Sequence, residues 1–356
     1  MKERSLIILL ASIAALGPFA VDMYLPAMPG MALEFGLEIP KIQMTLSAYL
    51  FGFSVFHLFC GPLADKYGRR PILLAGLTVF VFASAGCALA NTVNQLIFFR
   101  VLQGVGACVG PTLTRTIARD VFGAEGSARA LSYVAMLMTL APAVAPLFGG
   151  LMLYFFHWSS IFVFLAVYAV VIWVLIVRFL DESLPFSQSL RLTVIARNYA
   201  SLIRNHTFIL YTVVSALMYS GLMIYLASSG FIYVQKMGVR VELFGFVLLT
   251  LVFGYSLGSG LSAWLVEKVE SKKAVVVGTS IALLGTGFML LNSVVWPQSI
   301  WGLAIPMGIY TLALGIVLPH SMSIALAPFP EMAGTCSSLM GFIQMGLSAF
   351  CAVKIG

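Results

Sequence analysis

Charged residues are scarce in this chain. Asp, Glu, Lys and Arg make up 9% of its 356 residues, against about 25% in an ordinary soluble domain. Hydrophobic residues make up 61% of the chain and the mean hydropathy is +1.02, so a soluble fold would lack the polar groups needed to cover its surface. The composition therefore excludes a soluble globular protein and indicates a polytopic membrane protein.

Several functional signatures are missing as well. No glycine loop that could bind the phosphates of ATP is present, because Gly104 and Gly106 lie inside an apolar run and not between a strand and a helix. The cysteines lie in or beside apolar runs, which argues against a disulfide framework or a zinc site; they are Cys60, Cys87, Cys108, Cys336 and Cys351. We expect no enzyme, no cofactor and no metal, so energy must come from an ion gradient.

Eleven apolar segments are long enough to cross a membrane, since about 20 residues span a hydrocarbon layer of roughly 30 Å. Backbone groups in lipid must be paired within the segment, which predicts helices. The segments are approximately 6–29, 42–63, 72–91, 95–117, 131–154, 159–180, 207–234, 244–266, 274–293, 300–326 and 333–353. The start imitates a signal peptide, but its apolar run continues to Pro29, which predicts an uncleaved first helix.

Basic residues fix the predicted orientation. With the N-terminus inside, 15 of the 20 Lys and Arg lie in cytoplasmic loops and 4 outside, with Arg100 within a span. The net charge of +7 is thereby explained without a nucleic-acid partner. The longest loop, residues 181–205, lies inside, and its recurring arginines among apolar residues predict an interfacial amphipathic helix. A solvated linker is the alternative.

A degenerate repeat divides the chain. Residues 63–76 match residues 265–278 at a shift of 202 positions, and both segments fall between the second and third spans of a half. Two parallel six-helix halves are the simplest account. We predict an N-terminal half at 1–180, a cytoplasmic linker at 181–206 and an incomplete C-terminal half at 207–356. The same shift predicts that the twelfth helix is missing. Two explanations stay open: the sequence is a fragment, or the protein is naturally truncated.

Four motifs carry a resemblance to a known family. Residues 61–74 resemble the loop signature of the major facilitator superfamily, and residues 100–107 resemble its fourth-helix motif R-x-x-Q-G-x-G-A. Residues 141–150 resemble the fifth-helix motif of the drug/proton antiporters, although alanine replaces both first-position glycines. Residues 22–26, D-M-Y-L-P, resemble the bicyclomycin-resistance (Bcr/CflA) branch of multidrug exporters.

The resemblance implies an all-α major facilitator fold, here with about 11 transmembrane helices, in a bacterial cytoplasmic membrane. It implies a proton-coupled antiporter that exports small amphipathic compounds, with protons, a small-molecule substrate and membrane lipids as partners. A monomer is expected from this architecture. Two alternatives stay open: a proton-linked transporter of a metabolite such as an amino acid or a sugar, and a truncated membrane protein that does not transport.

Asp22 is the only acidic residue deep within a predicted span, which makes it a functional hypothesis because charge in a bilayer is costly. At about 1.5 Å per residue, Asp22 and Arg100 both lie about 6 Å below the outer surface of the hydrocarbon layer. The resemblance implies that the first and fourth helices line one cavity. We therefore expect Asp22 and Arg100 to interact directly, through water or through Gln103, and to couple protons to transport. A static ion pair is the alternative.

Three further groups of residues follow from the motifs. The resemblance implies a conformational clamp in the basic loop, formed by Gly61, Asp65, Gly68, Arg69 and Arg70. Arg115 and Arg119 are expected as its partners. It also implies a hinge in the fifth helix, formed by Pro142, Pro146, Gly149 and Gly150. A substrate cavity could be lined by the amphipathic or adaptable side chains of Tyr24, Tyr49, Met136, Tyr219, Met223 and Tyr225, for each of which a lipid-facing or interfacial position is the alternative.

Overall fold

The fold is a bundle of helices, seen in a computed structural model that describes residues 3–184, 192–265, 268–329 and 333–355. Within these ranges it describes all side chains except those of 123–129, 132, 135–137, 139–140, 142–143, 192–195, 265, 333–334 and 353–355. The helices are α1 (Glu3–Asp22), α2 (Met28–Glu34), α3 (Ile39–Tyr67), α4 (Arg69–Ala88), α5 (Val93–Ala107), α6 (Val109–Phe155), α7 (Ser159–Phe179), α8 (Leu192–Arg204), α9 (His206–Gly230), α10 (Val241–Leu265), α11 (Ser271–Val295), α12 (Ile300–Leu326) and α13 (Ala333–Ile355).

The predicted spans agree with these helices in number and order. Within the described residues, ten helical stretches are long and apolar enough to cross a membrane, and a shorter apolar helix covers Val144–Phe155 in the predicted fifth span. The chain is therefore a multi-pass membrane protein. The first predicted span contains a turn after Asp22, within one apolar stretch, Glu3–Glu34. The helix α6 covers residues of both the fourth and the fifth predicted spans, but these remain two passes, because Gly110 lies against Ile13 and Gly149 against Met23 of the same first span.

The predicted halves correspond to α1–α7 and to α9–α13, and we use the names first half and second half for these sets of helices. In the first half α1 packs against α6, while α5 packs against α3 and α4; in the second half α12 packs against α9, α10 and α11. The halves meet where α3 packs against α13 and α6 against α10. We call the end of the bundle that carries the α3–α4 loop the basic face, and the other end, which carries α2, the opposite face.

Glycines bring helix backbones into direct contact inside each half. A Cβ atom at Gly52 in α3 would lie 2.0 Å from the Val101 carbonyl oxygen, and one at Gly104 in α5 would lie 2.0 Å from the Tyr49 carbonyl oxygen. Gly254, at a shift of 202 from Gly52, lies equally close to α12, where a Cβ would be 2.1 Å from the Gly308 carbonyl oxygen. Small residues allow this approach between helices in lipid, and the shared position supports the repeat.

The linker helix α8 confirms the prediction of a helix in the loop between the halves. It also supplies a hydrogen-bond donor that Pro62 removes from α3. Proline has no N–H, so the Leu58 carbonyl in α3 lacks its usual helical donor. The Tyr199 hydroxyl of α8 donates to that carbonyl at 3.0 Å. Burial raises the pKa of Tyr199 to about 12, so the donor proton is retained. Leu202 of α8 is fully buried among apolar residues of α9, α12 and α13. The linker therefore contacts both halves.

We expect Gly52→Ala to destabilise the protein by about 1–3 kcal/mol or more, because the new methyl group would overlap a backbone that cannot move aside. The control is Gly260→Ala, where no heavy atom lies within 4 Å of the new Cβ. There we expect a gain of about 0.5–1 kcal/mol from the better helix propensity of alanine. Thermal unfolding in detergent measures both changes, and equal melting temperatures for the two variants would contradict the packing described.

We expect Tyr199→Phe to lower the free energy of unfolding by about 1–3 kcal/mol, the cost of leaving a buried carbonyl without a donor. Tyr211→Phe is the matched control, because Tyr211 packs against the same cluster and no hydrogen bond of its hydroxyl is found in the described part of the chain. Thermal unfolding should separate the two variants. If both melt like the wild type, the Tyr199 contact does not hold the linker in place.

Candidate functional site

The first helix breaks inside the bundle, and Pro26 is the reason. The proline ring crowds the carbonyl four residues earlier, and α1 ends at that residue, Asp22. A 3₁₀ turn, Leu25–Ala27, follows, and the Tyr24 N–H bonds the Val21 carbonyl at 3.2 Å. The Ala20 carbonyl is thereby left without its helical donor and becomes available to a side chain.

The Arg100 guanidinium donates a hydrogen bond to that free carbonyl. Its Nη1 atom donates to the Ala20 carbonyl oxygen at 3.0 Å and to Gln103 Oε1 at 2.6 Å. The Gln103 amide in turn donates to the Ser84 hydroxyl of α4 at 2.8 Å. Arg100 is completely buried, so these bonds fix a charged group within the first half, on α5, against α1 and α4.

Aromatic rings cover the remaining surface of the guanidinium. The Arg100 Cζ atom lies 4.6 Å from the ring centroids of Tyr24 and Tyr49 and 5.8 Å from that of Phe162. Such cation–π contacts offset part of the cost of burying a charge, and more so when water is excluded. The Arg100 Nε and Nη2 atoms are buried and make no hydrogen bond, so the rings replace the polar partners that these atoms lack.

Asp22 does not pair with Arg100, and the expected direct contact was wrong. No hydrogen bond or ion pair of the Asp22 carboxylate is found in the described part of the chain, although only 7% of the residue is exposed. Gln103 contacts Arg100 as expected, but its amide is directed to Ser84 and gives no bridge to Asp22. The predicted depth was right, since Arg100 binds two residues from Asp22. The helix break, however, presents the Ala20 carbonyl to Arg100 in place of the carboxylate.

Asp22 instead lies within electrostatic range of two tyrosines, Tyr49 of the first half and Tyr219 of the second. An acidic group without a partner therefore lies near the contact between the halves. An unpaired carboxylate at such a position is suited to bind a proton or another cation, because neutralisation removes the cost of its burial.

The other residues predicted to line the cavity have mixed positions. Tyr24 is fully buried beside Arg100, and its hydroxyl lies 2.6 Å from that of Thr45; Tyr225 lies 2.6 Å from the Tyr233 hydroxyl in a second buried pair. Both tyrosines are packed inside the protein, and their role in lining a cavity stays a prediction. Met223 is buried as well, and the Met136 side chain lies outside the described residues.

The basic loop is built around Gly68, whose φ of +103° is strained for any residue with a side chain. This glycine ends α3 and precedes α4. Arg69 is buried, pairs with Asp65 four residues earlier and reaches Asp120 Oδ2 in α6 at 3.1 Å. Of the expected clamp partners, Arg115 donates to the Ser337 hydroxyl of α13 at 3.4 Å, and Asp120, the residue after Arg119, supplies the acid that pairs with Arg69.

Glu182 completes this loop and was missed in the sequence. Its carboxylate accepts from the backbone N–H of Arg69 at 2.9 Å and of Arg70 at 3.2 Å, so it caps the start of α4. A Cβ atom at Gly68 would lie 2.4 Å from Glu182 Oε2, which gives a second reason for glycine. The Arg70 guanidinium donates to the Val177 carbonyl at 2.8 Å. The loop therefore contacts both the last turn of α7 and Glu182, which follows that helix.

Contacts join the halves at both ends of the bundle. On the opposite face, Gln235 donates to the Pro29 carbonyl at 3.1 Å and Gln43 to the Ala227 carbonyl at 3.4 Å. In the middle of α3 the Ser54 hydroxyl donates to the Phe342 carbonyl at 2.9 Å. Nearer the basic face, Gly61 lies beside Ser338, whose hydroxyl oxygen would be 3.8 Å from a Cβ there, and Arg115 donates to the Ser337 hydroxyl.

The predicted hinge residues lie on the side of the opposite face. A Cβ at Gly149 would be 2.4 Å from the Met23 carbonyl oxygen of α1's broken end, and one at Gly150 would be 2.6 Å from the Val241 carbonyl oxygen of the other half. Pro146 is buried within α6, and the Pro142 side chain lies outside the described residues. Gly150 thus permits a backbone contact between the halves.

The Major Facilitator Superfamily profile matches residues 10–352. This chain belongs to the major facilitator superfamily. A bicyclomycin resistance protein homolog of Haemophilus influenzae is 28% identical, over 96% of this chain and 86% of that protein. Multidrug resistance protein D of Escherichia coli is 27% identical over the same shares. The transporter YdgK of Bacillus subtilis is 30% identical over 100% of this chain and 89% of that protein.

These relatives support a place in the bicyclomycin-resistance (Bcr/CflA) branch of the family, as the first-helix motif predicted. The crystal structure of a D-xylose-proton symporter superposes with a TM-score of 0.81 at 14% identity, covering 99% of this chain and 90% of that one. At this identity the likeness concerns the fold, which is the predicted major facilitator fold. The matched family and these relatives are transporters.

We expect Glu182→Ala to lower the free energy of unfolding by about 0.5–2 kcal/mol, because the first N–H groups of α4 lose their acceptor. Glu270→Ala is the control: Glu270 directly precedes α11, at the position that matches Gly68 in the repeat, and its side chain makes no capping bond. Thermal unfolding in detergent should show a loss for Glu182→Ala alone. A similar loss in both variants would mean that the cap does not carry the effect.

Proposed function

We propose that this chain is a proton-coupled antiporter that exports small amphipathic, drug-like compounds across the bacterial cytoplasmic membrane by alternating access. The names of its relatives support drug export, and the unpaired carboxylate of Asp22 supports proton coupling. We place the basic face and the N-terminus in the cytoplasm, since most Lys and Arg lie at that end. The protein is proposed to act as a monomer.

The observation that carries the proposal is the separation of Asp22 from Arg100. The charge of Arg100 is stabilised within the first half by carbonyl, amide and aromatic groups, so the carboxylate of Asp22 is left available to a mobile cation. A proton that binds Asp22 removes the cost of burying its carboxylate in this arrangement, while a deprotonated Asp22 favours an arrangement in which water or a cationic group reaches it. Two arrangements that differ in proton affinity can couple proton entry to substrate exit.

The two ends of the bundle support alternation between these arrangements. Near each end, the polar and glycine contacts between the halves are few, such as Arg115 to the Ser337 hydroxyl on the basic face and Gly150 against Val241 on the opposite face. Net contributions of about 0.5–1.5 kcal/mol per hydrogen bond are small enough to be exchanged when the halves move. A metabolite transporter gains no specific support, because the likeness to the xylose symporter is one of fold.

We expect inverted membrane vesicles that contain the wild-type protein to accumulate bicyclomycin when a pH gradient is imposed, and to lose this uptake when an ionophore collapses the gradient. Asp22→Asn should reduce the gradient-dependent uptake by about 5- to 150-fold, the usual range of a coupling free energy, because its amide cannot bind and release a proton. The protein should remain in the membrane at wild-type levels.

Asp181→Asn is the matched control, since Asp181 is an exposed acid that follows α7, and we expect unchanged uptake. Full gradient-driven uptake in Asp22→Asn would refute the role of Asp22. No uptake by the wild-type protein, in vesicles where its presence and folding are verified, would refute export of this compound.

A further inference from the structure

One face of α11 is apolar and uncovered. Val276, Leu283 and Leu290 recur at a spacing of seven, so they lie on the same side of this helix, and they are 65%, 74% and 69% exposed. The side that packs against α12 is a different one, which carries the buried glycines Gly278 and Gly285. In the described residues, no helix covers the apolar face to a similar degree.

The repeat shows how the first half uses the same face. At the shift of 202, Leu74, Val81 and Ala88 of α4 match the three exposed residues of α11, and they are partly buried. The helix α7 packs along α4, and Trp173 of α7 donates to the Thr78 hydroxyl on this face at 3.2 Å. A face of this kind is therefore built to be covered.

The helix α9 supplies the second wall of the uncovered region. In the first half, α7 also contacts α1, where Tyr168 donates to the Ser12 carbonyl at 3.0 Å. The matching position on α9 is Val214, and Leu210 and Leu217, one turn to either side, are 47% and 56% exposed. We call the apolar surface between these two helices the α9–α11 groove. It is defined by Leu210, Leu217, Val276, Leu283 and Leu290.

Cations without protein partners stand at the basic end of this groove. Lys272 and Lys273 begin α11, and Lys273 shares a helix face with Val276 at a spacing of three. Arg204 ends α8, directly before α9. All three cations are exposed, and none of them forms an ion pair within the part of the chain that the structure describes.

The first half differs at this point, because its cations have acids of their own. Arg69 pairs with Asp65 and Asp120. The shift places Met322 at the position of Asp120, so the neighbouring helix offers no acid to α11. Of the two acids before α11, Glu270 is exposed and makes no capping bond, and Glu267 lies outside the described residues. The described cations therefore outnumber the described acid at this end.

We propose that the α9–α11 groove binds an anionic phospholipid, with its phosphate on Lys272 and Lys273 and its acyl chains along the groove. Leu283 lies ten residues beyond Lys273, which is about 15 Å along the helix and half of a hydrocarbon layer of roughly 30 Å. Cations followed by an apolar surface of this length match the head and the chains of a lipid in one leaflet.

The charges favour this occupant over the alternatives. A zwitterionic lipid would bring a cationic head group towards the lysines, whereas each cation near the membrane surface attracts an anionic lipid about fivefold. A second copy of the chain that docked through this face would stand in the same orientation in the membrane, because a closed dimer joins the same patch of both subunits. Its own Lys272 and Lys273 would then meet these, and like charges repel.

The test measures lipid selection at one position of the groove, with the full chain in lipid nanodiscs. Leu283→Cys carries a bimane fluorophore, which is quenched by phosphatidylglycerol or phosphatidylcholine bearing a nitroxide on an acyl chain. A chain without introduced cysteines measures labelling of the native thiols. We expect phosphatidylglycerol to occupy this position about 5- to 25-fold more strongly than phosphatidylcholine, the selection that one or two cations supply.

Two controls separate the groove from the rest of the surface. Phe253→Cys, 71% exposed on α10 and outside the groove, should show no selection of this size. Joint replacement Lys272→Gln and Lys273→Gln should remove the selection at residue 283. Joint replacement Lys236→Gln and Arg240→Gln removes the same charge from exposed positions on the opposite face and should leave the selection unchanged.

Several outcomes would overturn the inference. One is equal quenching by both lipids at residue 283, and another is selection that survives the loss of both lysines or is lost equally in the control pair. Quenching by neither lipid at residue 283, with normal quenching at residue 253, would mean that a protein segment or a second copy covers the groove. Lipid selection does not depend on transport, so this inference and the proposed function can fail separately.

Discussion

A backbone carbonyl that loses its helical N–H inside a membrane must find another donor, and this requirement organises the first half of the protein. Pro26 ends α1 and leaves the Ala20 carbonyl to the Arg100 guanidinium. Pro62 in α3 likewise leaves the Leu58 carbonyl to the Tyr199 hydroxyl of the linker. In both cases the donor comes from a distant part of the chain. The two prolines therefore do more than bend helices, because they create the acceptors that join α1 to α5 and the linker to α3.

The sequence allowed the fold and much of the site to be predicted, because helix length, loop charge and glycine spacing are local properties. Arg100, Gln103 and the loop around Gly68 were found in this way. The partners of these residues were not predicted, because the depth of a residue along its helix does not say which direction its side chain faces. Asp22 and Arg100 share that depth, but the break at Pro26 changes which group faces the guanidinium. Glu182 follows α7, more than a hundred residues after the loop it caps, and no local pattern indicates that contact.

The charges of the interior fall into two classes with different consequences. Arg100 is held by hydrogen bonds and rings within one half, so its environment moves with it as the halves rearrange. Asp22 lies near a contact between the halves and lacks a partner in the described part of the chain, so its environment changes when that contact changes. A fixed cation and an acid at a moving boundary are the arrangement expected if proton binding is to depend on the relative position of the halves. We therefore regard the contrast between a fully bonded Arg100 and an unpaired acid as part of the proposed coupling mechanism.

The paired glycine contacts between α3 and α5 have a mechanical consequence. Gly52 and Gly104 place each backbone directly against the other, with no side chain between them whose rotamer could change. Side-chain repacking is the usual way in which a helix interface absorbs a small displacement. At these two positions the interface lacks that means, so we expect the backbones of α3 and α5 to shift together. A displacement of Arg100 on α5 would then move α3, which also packs against α13 of the second half.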